Sequence, residues 1–342
     1  MGFRRLIGLL VGLLAAAWVA GLLTPAAAHA EKSPARVTVG IYVNDIQEID
    51  LASNSFTADF YLWMRWRDPE LQPWMSIEVM NSTARDNSTS SSSGGVAAKP
   101  LYDEPLDMPD GSKYMVLRYQ GVFSKEYNLE RYPFDVQNLL FVFEDERLTA
   151  DELEFVPDST PVTINGDVSI PGYVVGATKM EVFQNKYPTN FGDISVPPTV
   201  TYSQVVITVP MTREVVPYLV KLMLPIFIIV LITSLIYIIP ARLEEARAGI
   251  GVTAMLTIVA LQWSTDSSLP SVEYLTMLDL IYILAMFYVL IAMGYTVLAS
   301  RRNAYDAEEA LVTQLDRRVG ITALLLYVVL TATTMIFYVQ HF

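Results

Sequence analysis

The sequence predicts two domains in one chain: an all-β domain, either a sandwich or a barrel, followed by an all-α membrane domain of four helices. Hydrophobic and polar residues alternate in short runs throughout 36–213, and turn-rich stretches separate the runs. This pattern is typical of sandwiches and barrels. After Arg213 the alternation stops and long apolar segments begin. The change of pattern predicts a domain boundary at Arg213.

Residues 1–30 are predicted to be a signal peptide. Arg4 and Arg5 form a basic start, an apolar stretch follows, and Ala28-His29-Ala30 matches a small-x-small cleavage site. The alternative is a first membrane helix. Either segment sends the following residues across the membrane, so we place the β domain, 31–213, outside the cytoplasm.

Within the β domain, alternating runs predict strands at 37–43, 56–64, 115–119, 139–143, 174–183 and 205–209. The membrane domain, 214–342, contains four predicted spans at about 215–239, 245–264, 275–299 and 319–340. The loops on one side carry six arginines: Arg242, Arg247, Arg301, Arg302, Arg317 and Arg318. The loop at 265–272 on the other side has no Lys or Arg. The positive-inside rule therefore predicts a multi-pass protein whose N-terminal domain is outside.

Composition excludes several kinds of chemistry. The chain has no cysteine, and its histidines are His29 and His341. Thiolate nucleophiles, imidazole bases and ordinary zinc sites are therefore not expected, so we predict no catalytic residues, metal or cofactor and no enzyme. The net charge of −13 arises within 31–216, while the remainder is balanced. Five acidic domains around one axis would concentrate cations near a pore mouth.

The second membrane segment carries a stripe with the period of one helix face. Its residues are spaced three or four apart: Glu245, Gly249, Thr253, Leu256, Ala260, Trp263 and Ser267. A polar stripe on a membrane helix predicts several copies around a water-filled pore. The alternative is an interhelical seam in which small residues permit close packing.

In a pore, the stripe residues would have distinct roles. Leu256, Ala260 and Trp263 would form apolar rings that close the pore by dewetting. Thr253 and Gly249 would leave a narrow polar region below them. Glu245 would form a carboxylate ring at the cytoplasmic mouth and favour cations.

The segment 131–138, RYPFDVQN, resembles the loop that names the Cys-loop receptor superfamily, without its flanking cysteines, as in the prokaryotic branch. Further motifs follow in the family's order: Trp66-x-Asp68, Trp74, Gly172-Tyr173, Arg213, Leu224-Pro225 and Leu269-Pro270. The resemblance extends from about residue 36 to the C-terminus. It implies an immunoglobulin-like sandwich over four transmembrane helices, assembled as a homopentamer around a central pore.

The resemblance also implies how the two domains communicate. Arg213 would lie between Asp135 and Asp50, and this charge-assisted cluster would fix the register of the two domains. Pro133 and Phe134 would complete the interface on the sandwich side. Pro270, in the loop after the second helix, would receive the motion. The alternative for Arg213 is a surface salt bridge worth ~0–1 kcal/mol.

The resemblance places a ligand pocket between subunits, lined by aromatic side chains. The candidate residues are Tyr61, Arg118, Glu146, Tyr173, Tyr187, Phe191 and Tyr202. Arg118 would pair with a carboxylate ligand. The segment Asp145-Glu146 stands where animal receptors carry a tryptophan, which argues against a complete aromatic cage for a choline-like cation.

The selectivity signals conflict. Residues 246–253, ARAGIGVT, resemble the pore helix of glycine- and GABA-receptor-like anion channels. Those channels carry proline where Glu245 stands here. A ring of five carboxylates would dominate the local potential, so we predict cation selectivity, with anion selectivity as the alternative.

The sequence thus predicts a pentameric ligand-gated ion channel subunit in a bacterial inner membrane, with its sandwich in the periplasm. Its partners would be lipid, permeant small ions and a small-molecule, proton or divalent-cation agonist, with no nucleic acid. One alternative is a non-conducting periplasmic receptor. Another is a transporter or enzyme based on carboxylates, although no acid lies mid-span in the long helices.

Overall fold

The computed structural model of the protein describes residues 33–83, 96–194, 197–303 and 309–341. The predicted signal peptide, 1–30, lies outside these residues. The β domain and the helices belong to one unit that begins at Ala35.

The β domain is a sandwich of two sheets. Its strands are β1 (Ala35–Asp50), β2 (Ser55–Trp66), β3 (Ile77–Val79), β4 (Val96–Pro100), β5 (Leu106–Asp107), β6 (Lys113–Ser124), β7 (Val136–Asp145), β8 (Leu153–Ile164), β9 (Tyr173–Val175), β10 (Lys179–Tyr187) and β11 (Val200–Arg213). The first sheet has the order β4-β6-β2-β1-β8, with β5 beside β6. The second has the order β10-β11-β7-β3, with β9 beside β11. The alternation in the sequence fits both a sandwich and a barrel. The two separate sheets show that the domain is a sandwich.

Aromatic rings from the inner faces of both sheets form the core. Phe60 of β2 is fully buried, and its ring centroid lies 4.8 Å from that of Phe141 on β7. Phe123 of β6 packs edge-on against Phe141 at 5.2 Å. Such pairs add stabilisation beyond the burial of their apolar area. The domain is therefore held by side-chain packing, in a chain that has no cysteine.

A single-turn helix, α1 (Pro73–Ser76), lies between β2 and β3. Four longer helices follow the sandwich: α2 (Val215–Tyr237), α3 (Glu244–Asp266), α4 (Met277–Asn303) and α5 (Glu309–His341). Each of the four contains a segment long and apolar enough to cross a membrane. Helix α4 is the most buried of them and α5 the least. The predicted fold class, a sandwich followed by four helices, is confirmed.

The helix bounds differ from the predicted ones for local reasons. Helix α2 contains a π-helical turn at Leu219–Met223, before Pro225, which has no N–H to donate to the carbonyl four residues earlier. It ends at Tyr237, three residues before Pro240, whose ring disfavours a helical conformation at the preceding Ile239. Helix α5 begins at 309 rather than 319, since charged residues lower hydropathy there without preventing helix formation.

Backbone contacts join the sandwich to the helices. The N–H of Met277 donates to the carbonyl of Glu130 at 3.0 Å, and the N–H of Leu129 donates to the hydroxyl of Tyr274 at 2.9 Å. The loop before β7 is thus bonded to the start of α4. These bonds place the segment 131–135 directly above the helices.

Candidate functional site

Helix α3 carries six of the stripe residues on one exposed face, and the seventh, Ser267, is its exposed C-cap residue. Leu256 is 66% exposed and Trp263 is 77% exposed, which are large values for apolar side chains. The other five stripe residues are exposed as well: Glu245, Gly249, Thr253, Ala260 and Ser267. The stripe is therefore available to face a space outside the subunit.

The opposite face of α3 packs against the other helices of the same chain. Its buried residues are Arg247, Gly251, Ala254, Ile258 and Thr265. A Cβ atom at Gly251 would lie 2.5 Å from Cγ of Met293 on α4, so glycine permits this close approach. A Cβ atom at Gly249, on the stripe, would meet nothing within 4 Å. Within the subunit, the close interhelical seam thus lies opposite the stripe.

The inner end of α3 separates its charges. Glu245 is exposed on the stripe side, and Glu244 accepts a hydrogen bond from the hydroxyl of Ser300. Arg247 is fully buried and donates to the carbonyl of Ile239 at 3.0 Å. Its guanidinium also forms an ion pair with Asp316 on α5. The inner end of the stripe therefore exposes carboxylates while the cation points into the bundle.

Arg213 and Asp135 form a buried bidentate ion pair at the base of the sandwich. Nε of Arg213 lies 2.6 Å from Oδ1 of Asp135, and Nη2 lies 3.0 Å from Oδ2. Both side chains are at most 3% exposed. Burial by itself lowers the pKa of Arg213, but the hydrogen bonds and charge of Asp135 outweigh it and raise that pKa.

Three tyrosine rings surround the Arg213 guanidinium. Its central carbon lies 4.8 Å from the ring centre of Tyr132, 4.7 Å from Tyr173 and 4.9 Å from Tyr218. Tyr218 belongs to α2, and its hydroxyl accepts a hydrogen bond from Nη1 at 3.1 Å. Arg213 therefore links β11 to the loop before β7, to β9 and to the first membrane helix.

The remaining predicted interface residues lie around this cluster. The carboxylate of Asp50 accepts the N–H of Ser53 at 3.1 Å. Pro133 is buried and Phe134 packs partly against the core. Pro270 lines a cavity of about 450 Å³ at the outer ends of α3 and α4.

An acidic cavity of about 620 Å³ opens beside the second sheet. Tyr187 packs edge-on against Phe191 at 5.5 Å and against Tyr202 at 5.8 Å. These three rings and Glu146, all predicted from the sequence, line the cavity. Further acidic residues line it too: Glu78, Glu144, Asp145, Glu152 and Asp193. Its chemistry suits a cationic group or protons.

Glu144 connects the strands around this cavity. Its carboxylate accepts hydrogen bonds from Asn185 at 2.8 Å, from the Tyr187 hydroxyl at 3.0 Å and from Gln204 at 2.5 Å. Glu78 is its cross-strand partner on β3. Burial and the charges of Glu146 and Glu144 raise the pKa of Glu78. Burial and the bond to Glu144 raise the pKa of Tyr187 to about 12.

Tyr61 and Arg118 lie on the first sheet, apart from this cavity. The guanidinium of Arg118 binds Asp59 through Nε at 3.0 Å and Nη2 at 2.6 Å, and it lies 5.4 Å from the ring centre of Tyr61. Hydrogen bonding to Arg118 keeps the pKa of Asp59 below its ordinary value. The pairing of Arg118 with a carboxylate ligand stays a prediction; in the single subunit its carboxylate partner is Asp59. Within one subunit, Tyr61 and Arg118 are separate from the acidic cavity that Tyr187, Phe191 and Tyr202 line. Assembly between subunits would be needed to bring the two sets of residues together.

Tyr173 lies outside the acidic cavity as well. It was predicted in the ligand pocket, but its ring stacks on Arg213 at the base of the sandwich. The sequence motif Gly172-Tyr173 carries no sign of this position. The partners Asp59, Glu144 and Asp316 are missed by the sequence reasoning; for Asp59 and Glu144, an acidic residue in or at the end of an apolar run is a usable signal. Among the described residues, no group of three or more His, Cys, Asp or Glu side chains is placed to hold a metal ion.

Comparison with known proteins finds relatives among animal ion channels, while no protein-family model matches the chain. It is 24% identical over 281 residues to pH-sensitive chloride channel 2 of Drosophila melanogaster, covering 76% of this chain and 52% of the relative. The acetylcholine-gated chloride channel subunit acc-2 of Caenorhabditis elegans is 22% identical over 268 residues, covering 74% and 58%. A pH-sensitive chloride channel 2 from Anopheles gambiae is 25% identical over 262 residues, covering 71% and 42%. The chain thus spans about half the length of these curated relatives.

Proposed function

We propose that this chain, a relative of the Cys-loop pentameric ligand-gated ion channels, is one subunit of a homopentameric channel whose pore is lined by α3. The exposed stripe carries the proposal. Six residues at helical spacing are exposed on one face of a membrane helix, followed by the C-cap residue Ser267, while the opposite face is buried in the subunit. One helix cannot enclose water, so the stripe needs further copies around an axis.

The proposed gate lies in the outer half of the stripe. Leu256 and Trp263 project from the subunit, and five copies would form apolar rings around the axis. Such rings stop ions by excluding water from the constriction. The small side chains of Gly249 and Thr253 would leave the inner half hydrated.

The proposed opening signal travels along two paired strands. Strands β7 and β11 are hydrogen-bonded neighbours, in register from Phe143–Val205 to Val136–Thr212. One end of the pair carries Glu144 at the acidic cavity, and the other end meets the Arg213–Asp135 pair. A ligand that displaces Glu144 would therefore act on the same strands that hold Arg213 above α2.

Cation selectivity is proposed from Glu245, whose exposed carboxylates would form a ring at the inner mouth. The comparisons do not support this choice, since all three relatives bear the name chloride channel. They favour the anion-selective alternative. The orientation follows from the positive-inside rule, with the arginine-rich helix ends in the cytoplasm. The location in a bacterial inner membrane stays a prediction.

The test is current through the purified full-length protein in planar bilayers under a KCl gradient. The stimuli are pH steps and a panel of amines, carboxylates and divalent cations. We expect stimulated current, with a reversal potential near that of K⁺; a value near that of Cl⁻ would make the channel anion-selective. If neither the wild type nor Leu256→Ser conducts, the non-conducting receptor replaces the channel.

A thiol-labelling test locates the pore in the same preparation. The chain has no cysteine, so an introduced one is unique. Thr253→Cys lies on the exposed stripe, and the matched control Ala254→Cys lies on the buried face at 4% exposure. A charged thiol reagent should block current through Thr253→Cys and leave Ala254→Cys unaffected. The reverse result would remove α3 from the pore wall.

A further inference from the structure

The inner ends of all four membrane helices meet at one arginine. Arg247 is the single Lys or Arg within α3, and it is fully buried. Its Nε donates to the carbonyl of Ile239, just after α2, at 3.0 Å. Its Nη2 forms an ion pair with Asp316 of α5. The other carboxylate oxygen of Asp316 accepts the hydroxyl of Tyr295 on α4 at 2.6 Å.

Close backbone packing holds this cluster in place. A Cβ atom at Gly320, one turn after Asp316, would lie 2.6 Å from Cβ of Tyr237 on α2. Gly251, one turn after Arg247, meets Met293 of α4 equally closely. The rings of Tyr237 and Tyr295 lie 5.4 Å apart. The guanidinium therefore occupies a site whose walls come from three other helices.

Stability alone does not account for a charged pair here. A buried ion pair must overcome the desolvation of both charges, and apolar replacements are often as stable. Within the described part of the chain, Nη1 of Arg247 is buried and has no hydrogen-bond partner. An unsatisfied buried donor costs free energy. The Arg247–Asp316 pair is better explained by the position that it gives to the arginine charge, inside the helix bundle.

We propose that Asp316 is a selectivity-determining positioning residue, which holds the charge of Arg247 inside the bundle and away from the stripe on α3. The inference rests on the proposed function, because it concerns the pore along that stripe. Arg247 lies two residues after Glu245, on the opposite side of the helix. With the cation neutralised by Asp316, Glu245 sets the potential at the inner mouth. The fourth membrane helix thereby controls which ions pass.

The decisive variant is Asp316→Asn, studied as the full-length pentamer in a KCl gradient. It leaves five uncompensated arginine charges beside the pore, whether the side chains stay buried or turn outward. We expect the reversal potential to shift toward that of Cl⁻. Asp316→Glu, which restores the carboxylate, should return it to the wild-type value.

The matched control is the double variant Arg247→Met, Asp316→Leu. It removes both charges and fills the site with apolar side chains, so its reversal potential should equal that of the wild type. An unmoved reversal potential in Asp316→Asn would overturn the inference, as would an equal shift in the double variant. A purely structural tie would alter assembly or current size in both and move neither potential.

If Asp316→Asn does not assemble, Arg247→Lys decides. Lysine keeps the charge but lacks the planar fork that bridges the Ile239 carbonyl and Asp316 together. A shift of the reversal potential toward that of Cl⁻, smaller than the one expected for Asp316→Asn, supports the inference. An unchanged reversal potential in Arg247→Lys overturns it. Failure of the proposed function is distinguishable, since the wild type would then pass no stimulated current at all.

Discussion

Single carboxylates in the sandwich differ in how their charge is compensated. Asp59 is paired with Arg118, and Asp135 is paired with Arg213. Glu144 is buried but has neutral donors around it, and its cross-strand partner is Glu78. Like charges directly opposite each other destabilise a strand pair. Glu78 is therefore the residue whose ionisation opposes folding around the cavity.

Glu78→Gln should stabilise the sandwich at pH 7 by about 0.2–1 kcal/mol, the usual scale of a cross-strand charge pair. The pKa of Glu78 is raised above its ordinary value of 4.5 in the folded protein. The wild type therefore loses stability as the pH rises from below 4.5 through this raised pKa. The gain should therefore shrink at pH 4, where Glu78 is protonated. Thermal unfolding of the purified protein at both pH values measures it. The exposed Glu48→Gln is the control, and an equal gain at both pH values would contradict the assignment.

Helix α3 has one face that packs closely inside the subunit and one face that is exposed. The buried face needs Gly251 for close contact with α4, and the stripe face has Gly249 in open space. The stripe turns apolar in its outer half, where Leu256 and Trp263 are the most exposed large apolar side chains of the helix. A hydrophobic constriction closes because water leaves it, so its polarity sets how readily it opens.

Leu256→Ser should ease opening, giving current at lower agonist concentration or without agonist. The hydroxyl retains water in the constriction that leucine excludes. The same substitution at Leu261, which is partly buried on another face, is the matched control and should not ease opening. Single-channel open probability across the agonist range measures both. Equal effects from the two variants would count against an apolar gate at Leu256.

Arg213 joins the sandwich to the first membrane helix. This side chain bonds to Asp135, contacts three tyrosine rings and reaches the hydroxyl of Tyr218 on α2. Strands β7 and β11 connect the acidic cavity to that point. A buried pair whose partner is removed leaves an uncompensated charge in the interior. Arg213 thus belongs to a buried ion pair and not to a surface salt bridge, which was the alternative considered from the sequence.

Arg213→Ala should lower the free energy of unfolding by about 3–5 kcal/mol, because Asp135 stays buried without its partner. The double variant Arg213→Met, Asp135→Leu should recover much of that stability, since apolar groups replace both charges. It should still respond poorly to agonist if the pair transmits the signal. Thermal unfolding and evoked current, measured on the same preparations, separate the two roles. A full agonist response in the double variant would remove the pair from the coupling pathway.

Features that repeat along the chain could be predicted from the amino-acid sequence. Alternation indicated six strand segments within 36–213 but missed β3, β4, β5 and β8. Length and hydropathy indicated the four helices, and the spacing from Glu245 to Ser267 indicated a single helix face. Each of these signals is local, because side chains at period 2 or 3.6 share a face wherever the element lies.

How residues far apart in the chain pair depends on the folded structure. Arg247 is bonded to Asp316, 69 positions away, and Arg213 to Asp135, 78 positions away, a pair that only the family resemblance implied. Asp59 neutralises Arg118, and Tyr173 lies on Arg213 rather than in the acidic cavity. No local period encodes such pairs. They follow from the sheet register and from the close approach of helices at Gly251 and Gly320, which depend on packing across the whole fold.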